Sequence, residues 1–297
     1  MKKIFTLFLF ILVTVVLGTT WLAMKVALQT MPPLFITSIR FLISFILLVI
    51  LSFFFKTKLF FPTEKLKFKF LLCIFYFLIP FTLMLYCGKY VEISLSSIIY
   101  SNMPAIILFF SFILEKKDIF FFKKIGIICS MFSLIIIFFE KILFGSVQEI
   151  LGIIGLFIAM LSHAIIYVVS KREFSDFSVI TLNAFPSFLS GLLLLIGSLL
   201  FEHPNVMFFS KKSILATIYL GSVVGVFGIL SYFYLQKKTT PLVASTVFLF
   251  FPSIPIGFEY FFYNKFLFRI ELFSAFFSFF GIIIIILSSC FLKKKNY

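Results

Sequence analysis

The sequence predicts an all-α integral membrane protein with ten transmembrane helices arranged as two inverted five-helix repeats. Three observations predict it: an overwhelmingly apolar composition, apolar stretches of spanning length almost end to end, and basic residues sorted to alternate loops. Of 297 residues, 62% are hydrophobic and 12% charged, with a mean hydropathy of +1.21, outside the range of a soluble domain. A helix crossing about 30 Å of hydrocarbon at about 1.5 Å per residue needs roughly 20 mostly apolar residues.

In chain order, the first span is Ile4 to Ala27. Its opening, Met1-Lys2-Lys3 before an apolar run, also fits a signal peptide, but the run is longer than a usual signal core and no small-x-small cleavage site stands out. The following spans are Leu34 to Phe55, Phe70 to Cys87 and Leu95 to Leu114. The fifth, Ile125 to Phe139, is the weakest, with an apolar core of 15 residues. An earlier start within Phe120 to Phe122, with Lys123 and Lys124 snorkelling to the interface, restores its length. Then come Ile150 to Val169, Val179 to Phe201, Ile214 to Leu235, Leu242 to Tyr263 and Leu272 to Leu292, joined by short connections.

The net charge of +15 reads as topology rather than as a nucleic-acid footprint. With the amino terminus inside, 18 Lys and Arg fall on the cytoplasmic side and 6 on the other, while Lys25 and Arg40 lie within helices. That split is the positive-inside pattern, and an even helix count then puts both termini in the cytoplasm. The 50 Phe residues, with 23 Lys against 3 Arg, suggest a compositional bias in which Phe serves as lipid-facing bulk. Cys73, Cys87, Cys129 and Cys290 have no paired spacing and read as packing residues, with no metal or disulfide framework.

A shift of 148 residues lays the fourth and fifth spans on the ninth and tenth: Ser97 falls on Ser245, Pro104 on Pro252, Phe110 on Phe258 and Ser130 on Ser278. A weaker match at a shift of 146 sets Trp21 and Lys25 beside Tyr167 and Lys171. Units of 1–145 and 146–297 follow, and an odd number of crossings per unit inverts the second against the first, which suits alternating access.

The run Gly18-Thr19-Thr20-Trp21-Leu22-Ala23-Met24-Lys25, then Pro32-Pro33-Leu34-Phe35 and Arg40-Phe41-Leu42, resembles the opening of EamA-type members of the drug/metabolite transporter superfamily. Ser96-Ser97 through Pro104 to Glu115, closed by Gly126, is similar to the end of that family's first repeat. The second copy departs from the pattern, with Tyr263 where the family often has Glu and Gly281 keeping part of the closing glycine pattern. The resemblance implies a ten-helix fold with a central cavity and carrier activity, and it names no substrate.

Ionisable groups inside hydrocarbon usually face a cavity, a partner or the interface. Arg40 and Lys25 each lie well inside the span ends that meet at a tight loop. Either they form a cationic pocket for a substrate carboxylate or phosphate, with Arg40 as the bidentate partner, or Lys25 snorkels outward and Arg40 pairs with a helix carbonyl or Glu259. His163, near the middle of the sixth span, is either a proton relay or a neutral ring bonded to a neighbouring helix. Glu259 is a proton site, a counterion or an interfacial acid. Tyr100, Ser101 and Asn102 precede Pro104, where a missing donor frees backbone carbonyls, so they are candidate substrate contacts. Pro252 and Pro255 give the ninth span the matching break. Trp21 and Tyr167 stand to stack on substrate or to anchor at the interface. There is no phosphate-binding loop, no His-Glu-x-x-His and no Gly-x-Ser-x-Gly elbow in the sequence, so ATP use, a membrane protease and a hydrolase are not indicated. No cofactor is expected.

These readings converge on a secondary, proton- or gradient-coupled transporter of a small polar metabolite, with amino acids and relatives foremost. A flippase or exporter of an amphipathic or lipid-linked substrate is the alternative, and a non-transport membrane protein ranks third. The expected partners are a small-molecule substrate and the lipid bilayer, with protons as one coupling option, no nucleic acid, and a monomer or homodimer in a bacterial inner membrane.

Overall fold

The computed structural model describes residues 2–59, 66–115, 121–173, 178–239, 241–264 and 269–295. Ten apolar helices of membrane length run through it: α1 (Ile4–Ala27), α2 (Pro33–Phe55), α3 (Phe68–Cys87), α4 (Ile93–Leu114), α5 (Phe121–Phe144), α6 (Val147–Val169), α7 (Val179–Phe201), α8 (Lys211–Lys238), α9 (Val243–Phe262) and α10 (Glu271–Ser288). The fifth is not short: it begins within the expected window and continues past Phe139 to Phe144. Polar residues in its last turns do not stop it, because Lys141 meets Glu140, Glu149 and Glu271 at 3.9, 3.9 and 3.7 Å. Phe does serve as outer bulk at Phe53, Phe54, Phe144 and Phe201, all at least three-quarters exposed, although Phe41, Phe77 and Phe251 are buried.

Packing follows the duplication. Helix α5 runs along α10 and α2 along α7, each against its own repeat mate, while α3 on α6 is matched by α8 on α1, and α4 on α6 by α9 on α1. When the halves are exchanged the first two pairings map onto themselves and the others onto one another, as a five-helix repeat requires. At the α5–α10 crossing the backbones nearly touch. A Cβ on Gly126 would stand 2.5 Å from the Gly281 carbonyl oxygen, and one on Gly281 would stand 2.6 Å from that of Gly126. Small residues permit such approach where lipid supplies no hydrophobic drive between helices.

Four helices are irregular, again as mates. Helix α3 widens into a π-helical turn at Cys73–Leu78 and α8 does so at Leu220–Gly228, positions that coincide at a shift of 148. In α3 the cause is Pro80, which has no N–H for the preceding turn. Neighbours donate to carbonyls of this turn: Ser162 Oγ to Phe75 O at 2.6 Å, His163 Nε2 to Tyr76 O at 3.0 Å, and Ser190 Oγ to Cys73 O at 3.1 Å. Helix α4 breaks at Asn102, between Ile93–Ser101 and Met103–Glu115. Helix α9 breaks twice, into Pro241–Ser245, Val247–Phe250 and Ser253–Tyr263. Irregular backbone at this depth persists only where protein or a polar cavity satisfies it.

Candidate functional site

The irregular turns surround an internal cavity of about 70 Å³. Its wall is built from repeat-related residues. Leu17 and His163, and Trp21 and Tyr167, are mates at a shift of 146; Tyr76 and Val224, Phe81 and Ile229, Met84 and Tyr232, Tyr100 and Phe248, and Met103 and Phe251 are mates at 148, and all fourteen line the cavity. Thr20 and Arg40 complete the lining without a mate there. The cavity therefore lies on the axis that relates the two halves, the place common to both in any alternation between them.

Arg40, on α2, is 1% exposed. Its guanidinium carbon lies 4.5 Å from the ring centroid of Phe81 and 5.6 Å from that of Phe41, so aromatic faces offset part of its burial cost. Its Nε and Nη1 have no hydrogen-bond partner, and neither have the hydroxyls of Tyr100 and Tyr232. Two further hydroxyls are engaged with each other. Tyr76 and Tyr167 share a hydroxyl–hydroxyl bond of 3.1 Å. Bonded to a carbonyl, which only accepts, His163 Nε2 carries its proton. Rings link these groups: Trp21 to Tyr100 at 5.3 Å, Phe81 to His163 at 5.1 Å and Tyr167 to Tyr232 at 5.4 Å between centroids.

Of the residues singled out in the sequence, Trp21, Arg40, Tyr100, His163 and Tyr167 come together at the cavity. Others do not. Lys25 does not join Arg40 in one cationic pocket; its ammonium is 3.2 Å from Glu259 across α1 and α9, which also makes Glu259 the counterion of Lys25 and not of Arg40. Ser101 and Asn102 turn away from the cavity. Ser101 shares a 2.9 Å bond with Ser278 of α10, and Ser133 of α5 donates to Asn102 Oδ1 at 3.4 Å. The triplet splits because successive residues on a helix point about 100° apart. His163 performs its bonding to α3 as described, while its ring also faces the cavity. Pro104, Pro252 and Pro255 all sit at or just after helix breaks.

Sequence reasoning missed Tyr76, Phe81 and Tyr232, hidden among 50 Phe and 11 Tyr; extending the 148-residue shift to α3 and α8 would have found them. It also missed Glu202. Helix α2 starts at Pro33 behind Pro32, with no side-chain cap of its own. Glu202, just past α7, supplies one by accepting from the backbone N–H of Leu34 at 2.9 Å and of Phe35 at 3.1 Å, as well as from Tyr86 Oη at 2.9 Å and Ser198 Oγ at 2.8 Å. A carboxylate there satisfies orphan donors and the positive end of the helix dipole.

Comparison with known proteins agrees with this architecture. The EamA-like transporter family matches residues 4–139 and again 150–287. An uncharacterized transporter of Buchnera aphidicola subsp. Schizaphis graminum is 45% identical over 294 residues, 99% of this chain and 98% of the relative. A second Buchnera transporter, from subsp. Schlechtendalia chinensis, is 48% identical over 88% of this chain and 86% of its own length. Protein PagO of Salmonella typhimurium is 42% identical over 89% and 87%. A protein of known crystal structure shares the fold at a TM-score of 0.69 and 14% identity, covering 95% of this chain and 98% of its own. Matched in both halves, and similar to these relatives along most of its length, the chain belongs to the EamA-like transporter family and is a multi-pass membrane transporter rather than an enzyme.

Proposed function

We propose that the protein is a secondary carrier, driven by a proton or solute gradient, that moves a small carboxylate-bearing metabolite across the bacterial inner membrane through the cavity on the repeat axis. Amino acids and their relatives are the leading class. The single observation that carries this reading is the cavity wall itself, in which seven pairs of repeat mates face one space. A duplicated wall lets one half take the shape its twin leaves, opening the same site to either side in turn. Arg40 supplies the anchor and the aromatic residues supply the body of the site. The positive-inside distribution of the basic residues supports a topology with both termini in the cytoplasm.

A second reading, export of an amphipathic substrate, draws on an apolar groove of about 340 Å³ on the outer face of α4, α5 and α6, walled in part by Phe138, Phe139 and Phe157. Adjacent residues of α4, Ile99 and Tyr100, line the groove and the cavity respectively. The two readings differ in whether substrate arrives from water or from lipid.

Counterflow in proteoliposomes against labelled amino acids, nucleotides and sugars, with Arg40→Ala beside the wild type, tests the proposal. We expect saturable exchange of a carboxylate-bearing compound and a loss of roughly tenfold or more in Arg40→Ala, the scale of removing a charge-assisted bond. A folded Arg40→Ala protein that exchanges at the wild-type rate removes Arg40 from the site. Absence of counterflow with every compound rejects the carrier.

A further inference from the structure

We infer that the cavity selects organic monoanions, a carboxylate on a compact apolar body, over zwitterions and amines of the same skeleton. This rests on the carrier reading above and, within its class of amino acids and their relatives, moves the preference from the amino acids themselves to their deaminated relatives.

The hydrogen-bonding inventory of the wall is lopsided. Four buried donors on residues that line the space have no partner: Arg40 Nε and Nη1, Tyr100 Oη and Tyr232 Oη. An arginine offers only donors, and both tyrosine hydroxyls are free to turn their hydrogens to an acceptor. The acceptors of the wall are all neutral and partly engaged: the Tyr76 and Tyr167 hydroxyls bond each other, the Tyr76 carbonyl receives His163 Nε2, and the lone pairs left on the hydroxyls and on His163 Nδ1 carry no charge to meet an ammonium. Among the described residues lining the cavity none is Asp or Glu. Glu259, on α9, is taken by Lys25 at 3.2 Å.

Charge gives the same sign. A buried guanidinium stacked on Phe81 is stabilised by an anion and repels an ammonium brought beside it. The amino group of a zwitterion would enter a wall that has donors to spare and no carboxylate to meet it. One guanidinium neutralises one negative charge, so a monoanionic carboxylate fits and a phosphate dianion leaves a charge uncompensated. The rest of the wall, including Trp21, Phe248, Phe251 and Ile229, is apolar or aromatic and suits a branched or ring-bearing body. The selection thus comes from an asymmetry: only the first half places a cation in the wall.

The test uses the full-length protein in proteoliposomes and three labelled compounds of one skeleton: 4-methyl-2-oxopentanoate, leucine and 3-methylbutylamine, with protein-free vesicles as the leak control. The sole tryptophan, Trp21, is buried in the wall and reports binding in detergent through its emission, independently of transport. We expect counterflow of the oxo acid to exceed that of leucine and the amine by roughly tenfold or more, matched by a change in Trp21 emission with the oxo acid alone. Tyr100→Phe and Tyr232→Phe keep the shape of the wall and are expected to weaken oxo-acid binding by roughly threefold to tenfold each, while Arg40→Gln removes the preference for the anion. Leucine or the amine exchanging as fast as the oxo acid overturns the inference and leaves the carrier standing, as does exchange confined to other compounds of the wider panel. Unchanged oxo-acid affinity in both tyrosine variants overturns the donor set even if Arg40→Gln fails to fold. Failure of every compound in both panels removes the carrier first and this inference with it.

Discussion

The α5–α10 crossing and the α4–α9 pair come from the same duplication, yet they serve the molecule in different ways. At α5–α10, Gly126 and Gly281 each stand against the carbonyl of the other, so each half contributes one glycine to the contact, although the 148-residue shift pairs these glycines with Ser274 and Ser133 and not with each other. At α4–α9 the mates have diverged around a shared proline, Pro104 and Pro252. In α4 the backbone N–H of Asn102 bonds Ile99 O, three residues back, at 3.2 Å, which leaves Ile98 O without its helical donor. The Asn102 amide and Ser101 Oγ take that carbonyl, at 3.2 and 2.6 Å, and Asn102 itself is fully buried. The mate of Asn102 is Phe250, 45% exposed, and α9 is broken a second time at Thr246. The peripheral crossing joins the halves through one glycine from each, while the cavity-lining helices have become one stitched and one loose member.

The largest effect is expected where the two backbones touch. Gly281→Ala places a methyl against backbone rather than against a side chain that can swing away. It should lose about 3 kcal/mol, the upper part of the usual range for overpacking. Gly126→Ala should cost about the same, because the clash is reciprocal. Chemical unfolding of the purified protein in mild detergent measures both. A large loss in one and none in the other would mean that the two helices do not share the crossing equally.

The next effect separates the mates. Asn102→Ala leaves a buried carbonyl without its amide partner and should destabilise by about 2 kcal/mol, whereas Phe250→Leu, on the partly exposed mate, should stay within about 0.5 kcal/mol. Equal losses at the two positions would show that the stitching of α4 is not what distinguishes it from α9.

These contrasts also mark where the sequence is readable. Span positions followed from apolar length, and α5 was underestimated because the basic residues at its start and the Glu140–Lys141 pair near its end look like helix ends in a hydropathy reading. They are tolerated through snorkelling and ion pairing, which depend on neighbours in space. Pro104 announced a broken helix, but the direction of each polar neighbour did not follow, so Tyr100 faces the cavity while Ser101 and Asn102 pack between helices. Arg40 stood out because an arginine in a span is rare. Tyr76 and Tyr232 did not, since aromatics are common throughout this chain. The Lys25–Glu259 pair, 234 residues apart in sequence, carries no local signature at all.

That pair is the smallest expected effect and the most direct probe of asymmetry between the two ends of the cavity. Lys25 follows Trp21 by one helical turn, so on α1 it stands over the cavity on the side of the α1–α2 turn, and its bond to Glu259 ties α1 to α9 there. The repeat mate of Glu259 is Ser111, so the inverted half does not carry the same acid to the other end. With Lys25 40% exposed and Glu259 3%, solvent screening limits the pair to about 1 kcal/mol or less, up to about fivefold in a two-state population. Glu259→Gln should therefore raise the alkylation rate of a cysteine placed at Leu17, in the wall below, by up to about fivefold from the side of the α1–α2 turn. High salt should reproduce part of that rise in the wild type and none in the variant. If Glu259→Gln leaves the labelling rate unchanged, the pair is not what holds that end shut, and the close approach of Gly18 to the Ile254 side chain and the Phe251 carbonyl, which also joins α1 to α9, carries the seal instead.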